Sequence, residues 1–413
     1  MRRQLIQRSA LLGCVVLVLL GSSRAGAGPL SLAEARRRAL ERNFDLLAAH
    51  SDLDQALAQQ IVARQIQNPN LSLSSSGLGE RSYDTIVAID QLLEIHGHRA
   101  LRRAAADRGV EAARSRFADA RRVLDAAVVK AYTAAVLAAE NSRLLGESAA
   151  SLRASVAIAA ERLKAGDIST AEERQIEVEA DRFTTDARAA EAAARTARIA
   201  VDVLLGEPRP AGDWQPADPL EALARAGTQV AGEAALPRPD LLAAEAALRR
   251  AEADLALQKT LRVPDPTLHF QYEHQPPDRA NTIGLGISFE LPAWSHRRGE
   301  IASAQVARDA AARERARVAA AIAGDQASAE ANFASASERW NAYRDGILAK
   351  TEDVRQSVVY AYQNGGASLL ALLEAERSAA QVRLAAAQAA ADTVTAAADL
   401  AAARSLPLLE TTQ

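Results

Sequence analysis

Sulfur is nearly absent from this chain: cysteine occurs once, at Cys14, and methionine once, at Met1. Past residue 27 there is no disulfide to staple the fold, no thiolate nucleophile and no soft ligand for a thiophilic metal. Aromatic residues make up 4% of the 413 residues, which excludes a core built round large rings. The longest apolar run, Ala10 to Leu20, is about half of what a membrane-spanning helix needs. A membrane-embedded form of this chain would therefore be a β-barrel, the other way to satisfy every backbone group in lipid. Nucleophile elbow, phosphate loop, HExxH and Cys/His spacing are all missing, so the sequence implies no enzyme, no cofactor and no metal site.

The first 27 residues read as a secretory signal peptide. Arg2, Arg3 and Arg8 precede the apolar run, and small residues follow at Ala25 and Ala27, which places cleavage after Ala27. A rival reading, lipidation at Cys14 in LLGC, is opposed by the apolar VVLVLL still to come. Cleavage removes four arginines and no acid, leaving 45 basic against 52 acidic residues and a net charge of −7. Nucleic acid rewards basic surfaces, so it is not an expected partner.

What the chain has in abundance is Ala, Arg, Glu and Leu in long helical runs, and it has them twice. PNLSLSSS (69–76) aligns with PTLHFQYE (266–273), and TIVAID (85–90) with TIGLGI (282–287). QLLEIHGHR (91–99) aligns with FELPAWSHR (289–297), and RLKAGDISTAEE (162–173) with AYQNGGASLLAL (361–372). The offset stays near two hundred residues, the mark of an internal duplication. The fold class expected is mainly α with a small β part, in a repeated helix–hairpin–long helix–helix plan.

The first repeat spans 28–205, with helix 31–67 opened by a capping box at Ser31 and Glu34, hairpin 70–93, long helix 98–164 and return helix 169–205. The second spans 238–404, with helix 239–262, hairpin 267–291, long helix 297–363 and return helix 368–404. Residues 405–413 form a tail, and the Pro- and Gly-rich insert 206–237 is expected outside the helical bundle. Gly166 and Gly365 suit left-handed C-caps at the long helices' ends, and Ser169 and Ser368 suit the N-caps of the return helices. The helices flanking each long helix are roughly half its length, so stacked end to end they can run antiparallel beside it.

Both hairpins alternate with a period of two. Bulky residues at Leu71, Leu73, Val87, Ile89, Leu268, Phe270, Tyr272, Ile283, Leu285, Ile287 and Phe289 form one face, and Ser, Thr, Gln, Glu and Asp populate the other. Strands of nine to eleven residues suit a tilted bilayer crossing with lipid on one side and water on the other. Four strands cannot close a barrel, so several chains would have to pool theirs. The alternative from the residues alone is a soluble periplasmic coiled-coil protein, such as an adaptor, whose sheet covers a helical bundle.

Five segments in order, SLAEARRRALERN, PNLSL, LLEIHGHR, RLKAGDIS and AYQNGGASLLALLEAER, resemble the TolC-type outer-membrane efflux channels. LLEIHGHR and AGDIS look most like the heavy-metal branch, whose pump belongs to the resistance-nodulation-division class. The resemblance implies a homotrimer with a 12-stranded transmembrane β-barrel continuous with a 12-helix periplasmic α-barrel. It implies a passive exit channel, with outer-membrane lipid, a periplasmic adaptor and an inner-membrane pump as partners. The helix turns carrying Gly166, Ser169, Gly365 and Ser368 would meet the adaptor, and Glu374, Glu172 and Tyr362 would sit at the periplasmic entrance.

Tyr362 and Gly365 match the family's Tyr-x-x-Gly. Where the type member has two aspartates a helical turn apart, this chain has Ala371 and Glu374, and Ala367 replaces an arginine that pairs with the latch. One ring of carboxylates, at Glu374, is therefore expected to survive, and a charged ring at a constriction favours cations. His96, His98 and His296 fall where strands give way to helices and are read as hydrogen-bonded side chains of that junction.

Overall fold

A computed structural model describes residues 28–76, 84–229, 235–275 and 280–406. The signal peptide, the two hairpin connections around Gly79 and Pro276, and residues 407–413 of the tail lie outside the described residues.

The first repeat begins with a two-residue strand β1 (Pro29–Leu30), then helices α1 (Leu32–Arg42) and α2 (Phe44–Arg64). The single helix expected over 31–67 is thus two. Asn43 breaks it: its backbone is extended, its side-chain oxygen accepts from Leu46 N at 3.0 Å, and its Nδ2 donates to Leu204 O at 3.0 Å. Asparagine caps a new helix better than it continues an old one, because its amide competes with the helical ladder. The capping box at Ser31 is also only half made. The serine accepts from Glu34 N, but the Glu34 carboxylate turns to Arg37 and Arg38, which lower its pKa to about 2.

Strands β2 (Asn70–Ser76) and β3 (Asp84–Leu92) follow, then α3 (His98–Ala165) and α4 (Thr170–Leu204). The second repeat supplies α6 (Pro239–Thr260), β5 (Thr267–Gln275), β6 (Ala280–Ser288), α7 (Arg298–Ala342), α8 (Leu348–Gln363) and α9 (Leu369–Arg404). Strand β6 stops three residues short of 291, so Phe289 lies just beyond it. At 1.5 Å per residue the 68 residues of α3 make a rod of about 100 Å. It packs along α2 and α4 of its own repeat and along α6 and α9 of the other.

The two long helices differ in one detail. Residues Tyr343–Ile347 form a π-helical turn between α7 and α8. The offset between repeats is 198 at Arg99/Arg297 and 199 at Gly166/Gly365, and this turn takes up the extra residue. One-residue insertions into helices are accommodated in this way.

The four long strands form one antiparallel sheet in the order β2–β3–β5–β6. Thr85 stands opposite His274, itself opposite Asn281, so Thr85 shares a face with Asn281 and Ile283, not with Thr282. The alignment of TIVAID with TIGLGI is therefore one residue out of step, since successive strand residues point to opposite faces.

The insert corrects another expectation. It contributes β4 (Gln215–Pro216), which pairs in parallel with β1, and helix α5 (Leu220–Gly227), which joins the main core. Asp202 near the end of α4 accepts from Ala211 N, Gly212 N and Trp214 Nε1 at 2.8–3.0 Å. Trp214 stacks on Tyr132 of α3 with ring centroids 6.0 Å apart. Leu220, Leu223 and Ala224 are buried with it among Val128, Val129 and Val394. Pro and Gly do break helices here, but the residues between them are apolar and the insert fills the core at mid-length.

Candidate functional site

At one end of the rod the sheet sorts its side chains by face. Leu71, Ile89, Phe270 and Leu285 stand in one cross-strand row, and Leu73, Val87, Tyr272 and Ile283 in the next. Leu268 and Ile287 extend the apolar face. The opposite face carries Ser72, Ala88, Gln271 and Gly284 in one row and Asn70, Asp90, His269 and Gly286 in another. On it, His269 Nδ1 lies 2.6 Å from Asp90 Oδ1, and the ring's other nitrogen meets Ser288. Ile86 and Leu92 are exceptions to the polarity of this second face.

The apolar rows are bare: Leu285 is 77% and Leu71 68% exposed. Strands β2 and β6 each have a single neighbour, so the sheet has two open edges. No described helix is long and apolar enough to cross a membrane.

Where the sheet meets the helices, Asp265 collects the junction. Its carboxylate lies 2.6 Å from His98 Nδ1 and 3.3 Å from His96 Nδ1, and it accepts from Ile95 N at 3.2 Å. His98 is buried, whereas His296 is exposed.

At the other end the chain turns twice. Gly166 and Gly365 take φ of +84° and +76°, the left-handed conformation that ends α3 and α8. Ser169 Oγ accepts from Glu172 N, and the Glu172 carboxylate accepts from Ser169 N at 2.8 Å, a complete capping box. That bonding holds the Glu172 carboxyl below its ordinary pKa. Ser368 accepts from Ala371 N in the same position of the second turn.

Glu374 is exposed on α9, and its charge reaches Arg377. Tyr362 is 1% exposed, packed among Ile176, Leu369, Leu372 and Leu373 with the Arg162 guanidinium 5.1 Å above its ring. Burial raises its pKa. Tyr362 therefore anchors the turn from within the helix bundle and does not share an open surface with Glu374.

The residues that sequence reasoning missed lie just behind these turns. Glu179 of α4, 4% exposed, receives a bidentate pair from Arg377 of α9 at 2.7 and 2.8 Å. Glu376, 2% exposed, accepts from Ser151 of α3 at 2.9 Å and from Arg355 of α8 at 3.1 Å. Glu352 is bonded by Arg355 and Arg383, and the Arg355 hydrogen bonds first of all bring its pKa down to about 2. These contacts link four helices across both repeats. The signal was present: Glu376 interrupts the apolar stripe Leu369, Leu372, Leu373, Ala380, and Glu179 lies between Ile176 and Phe183.

A family profile described as "Outer membrane efflux protein" matches residues 35–207 and 230–404. The cobalt-zinc-cadmium resistance protein CzcC of Cupriavidus metallidurans is 25% identical over 369 residues, which cover 87% of this chain and 86% of that protein. A membrane protein from Pseudomonas aeruginosa superposes with a TM-score of 0.76 at 20% identity, over 90% of this chain and 92% of its own. The open-state MtrE outer membrane channel of Neisseria gonorrhoeae does so with a TM-score of 0.74 at 21% identity, over 92% of this chain and 91% of its own. The profile covers both repeats and most of the chain, which sets aside the reading as a soluble adaptor. This chain belongs to the outer membrane efflux protein family, whose members are channels and not enzymes.

Proposed function

We propose that three copies of the chain close a twelve-stranded barrel in the outer membrane, continuous with a twelve-helix barrel in the periplasm. The assembly is the passive exit of a tripartite efflux system fed by a resistance-nodulation-division pump through a periplasmic adaptor. One observation carries this reading: a four-stranded sheet with a bare apolar face and two open edges. Such edges are unsatisfied in lipid unless other strands pair with them. The polar face then lines the aqueous passage.

In this reading the turns at Gly166, Ser169, Gly365 and Ser368 meet the adaptor, and three copies of Glu374 ring the entrance. Ala367 and Ala371 leave that ring as the retained charge of the gate. Cobalt, zinc and cadmium ions are the cargo class suggested by the name of the CzcC relative, in agreement with the resemblance of LLEIHGHR and AGDIS to the heavy-metal branch. The signal peptide directs the chain out of the cytoplasm and is cleaved after Ala27.

Two measurements test this. The protein should fractionate with the outer membrane and migrate on gels as a heat-modifiable species, and recovery as a periplasmic monomer would sink the channel reading. A deletion strain should lose resistance to salts of these metals. Sensitivity to antibiotics or detergents alone would redirect the cargo while leaving the channel in place.

A further inference from the structure

The duplication supplies a template for the contact between copies. Within the chain, the long helix α3 of the first repeat seats on α9 of the second. The faces involved are covered: Ser148 and Ser155 of α3 are buried with Ser151 between them, and Leu369, Leu373, Glu376 and Ala380 of α9 are buried opposite. The offset of 199 that relates the two turns carries these positions to their counterparts. In the second repeat's long helix they are Ile347, the last residue of the π-helical turn, with Lys350 and Val354 of α8; on α4 they are Thr170, Arg174, Glu177 and Asp181. Every one of these counterparts is exposed. The second repeat's long helix and the first repeat's return helix thus leave bare the very faces that their equivalents bury.

Charge fits the same template. The contact between Ser151 Oγ and Glu376 at 2.9 Å maps onto Lys350 and Glu177, a cation and a carboxylate. Neither has an ion-pair partner among the described residues. At the other end of the rod, the contact between His98 and Asp265 maps through offsets of 198 and 197 onto His296 and Asn68, both exposed.

Resting on the trimer proposed above, we infer that α8 of each copy seats on α4 of the next as α3 seats on α9 within the chain, with Lys350 paired to the partner subunit's Glu177. The occupant of the bare face is a second copy of this chain. The contact is head-to-tail, because the two faces come from different repeats, and such contacts generate a ring when the rotation closes, here after three copies. Glu177 lies about two helical turns, and Lys350 about four, from the chain reversals at that end, so the pair ties neighbouring copies together in the half of the rod nearer the entrance.

The test uses the full-length protein purified in detergent. Its mass by light scattering comes first: a monomer would remove the trimer reading and this inference with it. Given a trimer, Lys350→Cys combined with Glu177→Cys and a short thiol-reactive cross-linker should give covalent dimers and trimers on denaturing gels. Either single variant, and Ser151→Cys combined with Glu177→Cys, should give none. A trimer in which the 350/177 pair stays uncross-linked, or links no better than the control pair, overturns the inference. Should the cysteine pair fail to assemble, charge reversal supplies the second arm. Lys350→Glu and Glu177→Lys should each lower the trimer's dissociation temperature and together restore it, and absence of restoration overturns the inference equally.

Discussion

The two ends of this rod invert each other's chemistry. At the sheet end, Leu71, Phe270 and Leu285 are turned outward and left bare, while polar residues share the opposite face. At the turn end, Glu179 and Glu376 are turned inward and buried against arginines from other helices. A single rule of apolar inside and polar outside describes neither. Each end makes sense once its surroundings are specified: for the first, the hydrocarbon solvent of the barrel proposed above, and for the second, neighbouring helices that supply counter-charges. Each end can be broken by importing the chemistry of the other.

The largest effect is expected where charge is forced onto the bare apolar face. Leu285→Asp should abolish or greatly reduce the heat-modifiable assembled species. In the proposed barrel a charged residue facing lipid costs up to about 2–4 kcal/mol per copy, somewhat less for an acid, and the trimer would carry three such copies. Gly284→Ser, one residue along and on the polar face, should assemble normally, because an added Cβ there meets nothing closer than Gln271 Cβ at 3.7 Å. Equal tolerance at 284 and 285 would erase the distinction between the faces.

At the other end the reverse exchange should be milder. Removing Arg377 (Arg377→Ala) leaves the Glu179 carboxylate among Ile176, Ala180 and Phe183 with the more distant Arg182, 3.9 Å away, as its remaining counter-charge. Stranding one member of a fully buried pair costs roughly 3–5 kcal/mol, but Arg377 is itself 44% exposed and water screens part of the loss. About 1–3 kcal/mol is expected, read as a lower unfolding temperature with assembly retained. Replacing both residues by leucine should recover most of it, because the buried charge is then gone.

Acid probes the same network without mutation. The carboxyls of Glu352 and Glu179 are held below their ordinary pKa by arginine hydrogen bonds, Glu352 at about 2. A depressed folded-state pKa contributes stability above the unfolded value, and that stability is lost as pH falls through the folded value. The helical part should therefore lose thermal stability between about pH 4.5 and pH 2, and Glu352→Gln should flatten that slope. A slope unchanged in Glu352→Gln would mean that the carboxylate does not couple to folding.

How far the sequence foretold these ends follows from what each pattern means physically. Strand alternation was readable because a period of two has few other causes, and the rows through Phe270 and Leu285 bear it out. The turns at Gly166 and Gly365 were readable because glycine accepts a positive φ that other residues resist. The buried ion pairs were not, since Glu and Arg at helical spacing usually decorate a solvated face; only their position on an apolar stripe distinguishes them. The break at Asn43 was missed because helical residues continue on both sides of it. The core role of the insert was missed because Pro and Gly report where a helix ends and say nothing about what Trp214 and Leu223 will touch.

The smallest effect on stability, and the finest comparison, comes from two glutamates of one helix. Glu374 and Glu376 stand two residues apart on α9, roughly 200° round its axis, one exposed and one 2% exposed. Glu374→Gln should leave thermal stability within about 0.5 kcal/mol of the parent, since nothing in the core depends on it. If Glu374 forms the proposed ring, the same change should nonetheless reduce preference for cations in planar bilayers, because three like charges at a constriction raise the local cation concentration. Glu376→Gln should behave the other way, weakening the contacts to Ser151 and Arg355 while leaving selectivity as it was. If Glu374→Gln channels keep their cation preference, the exposed carboxylate faces something other than the passage.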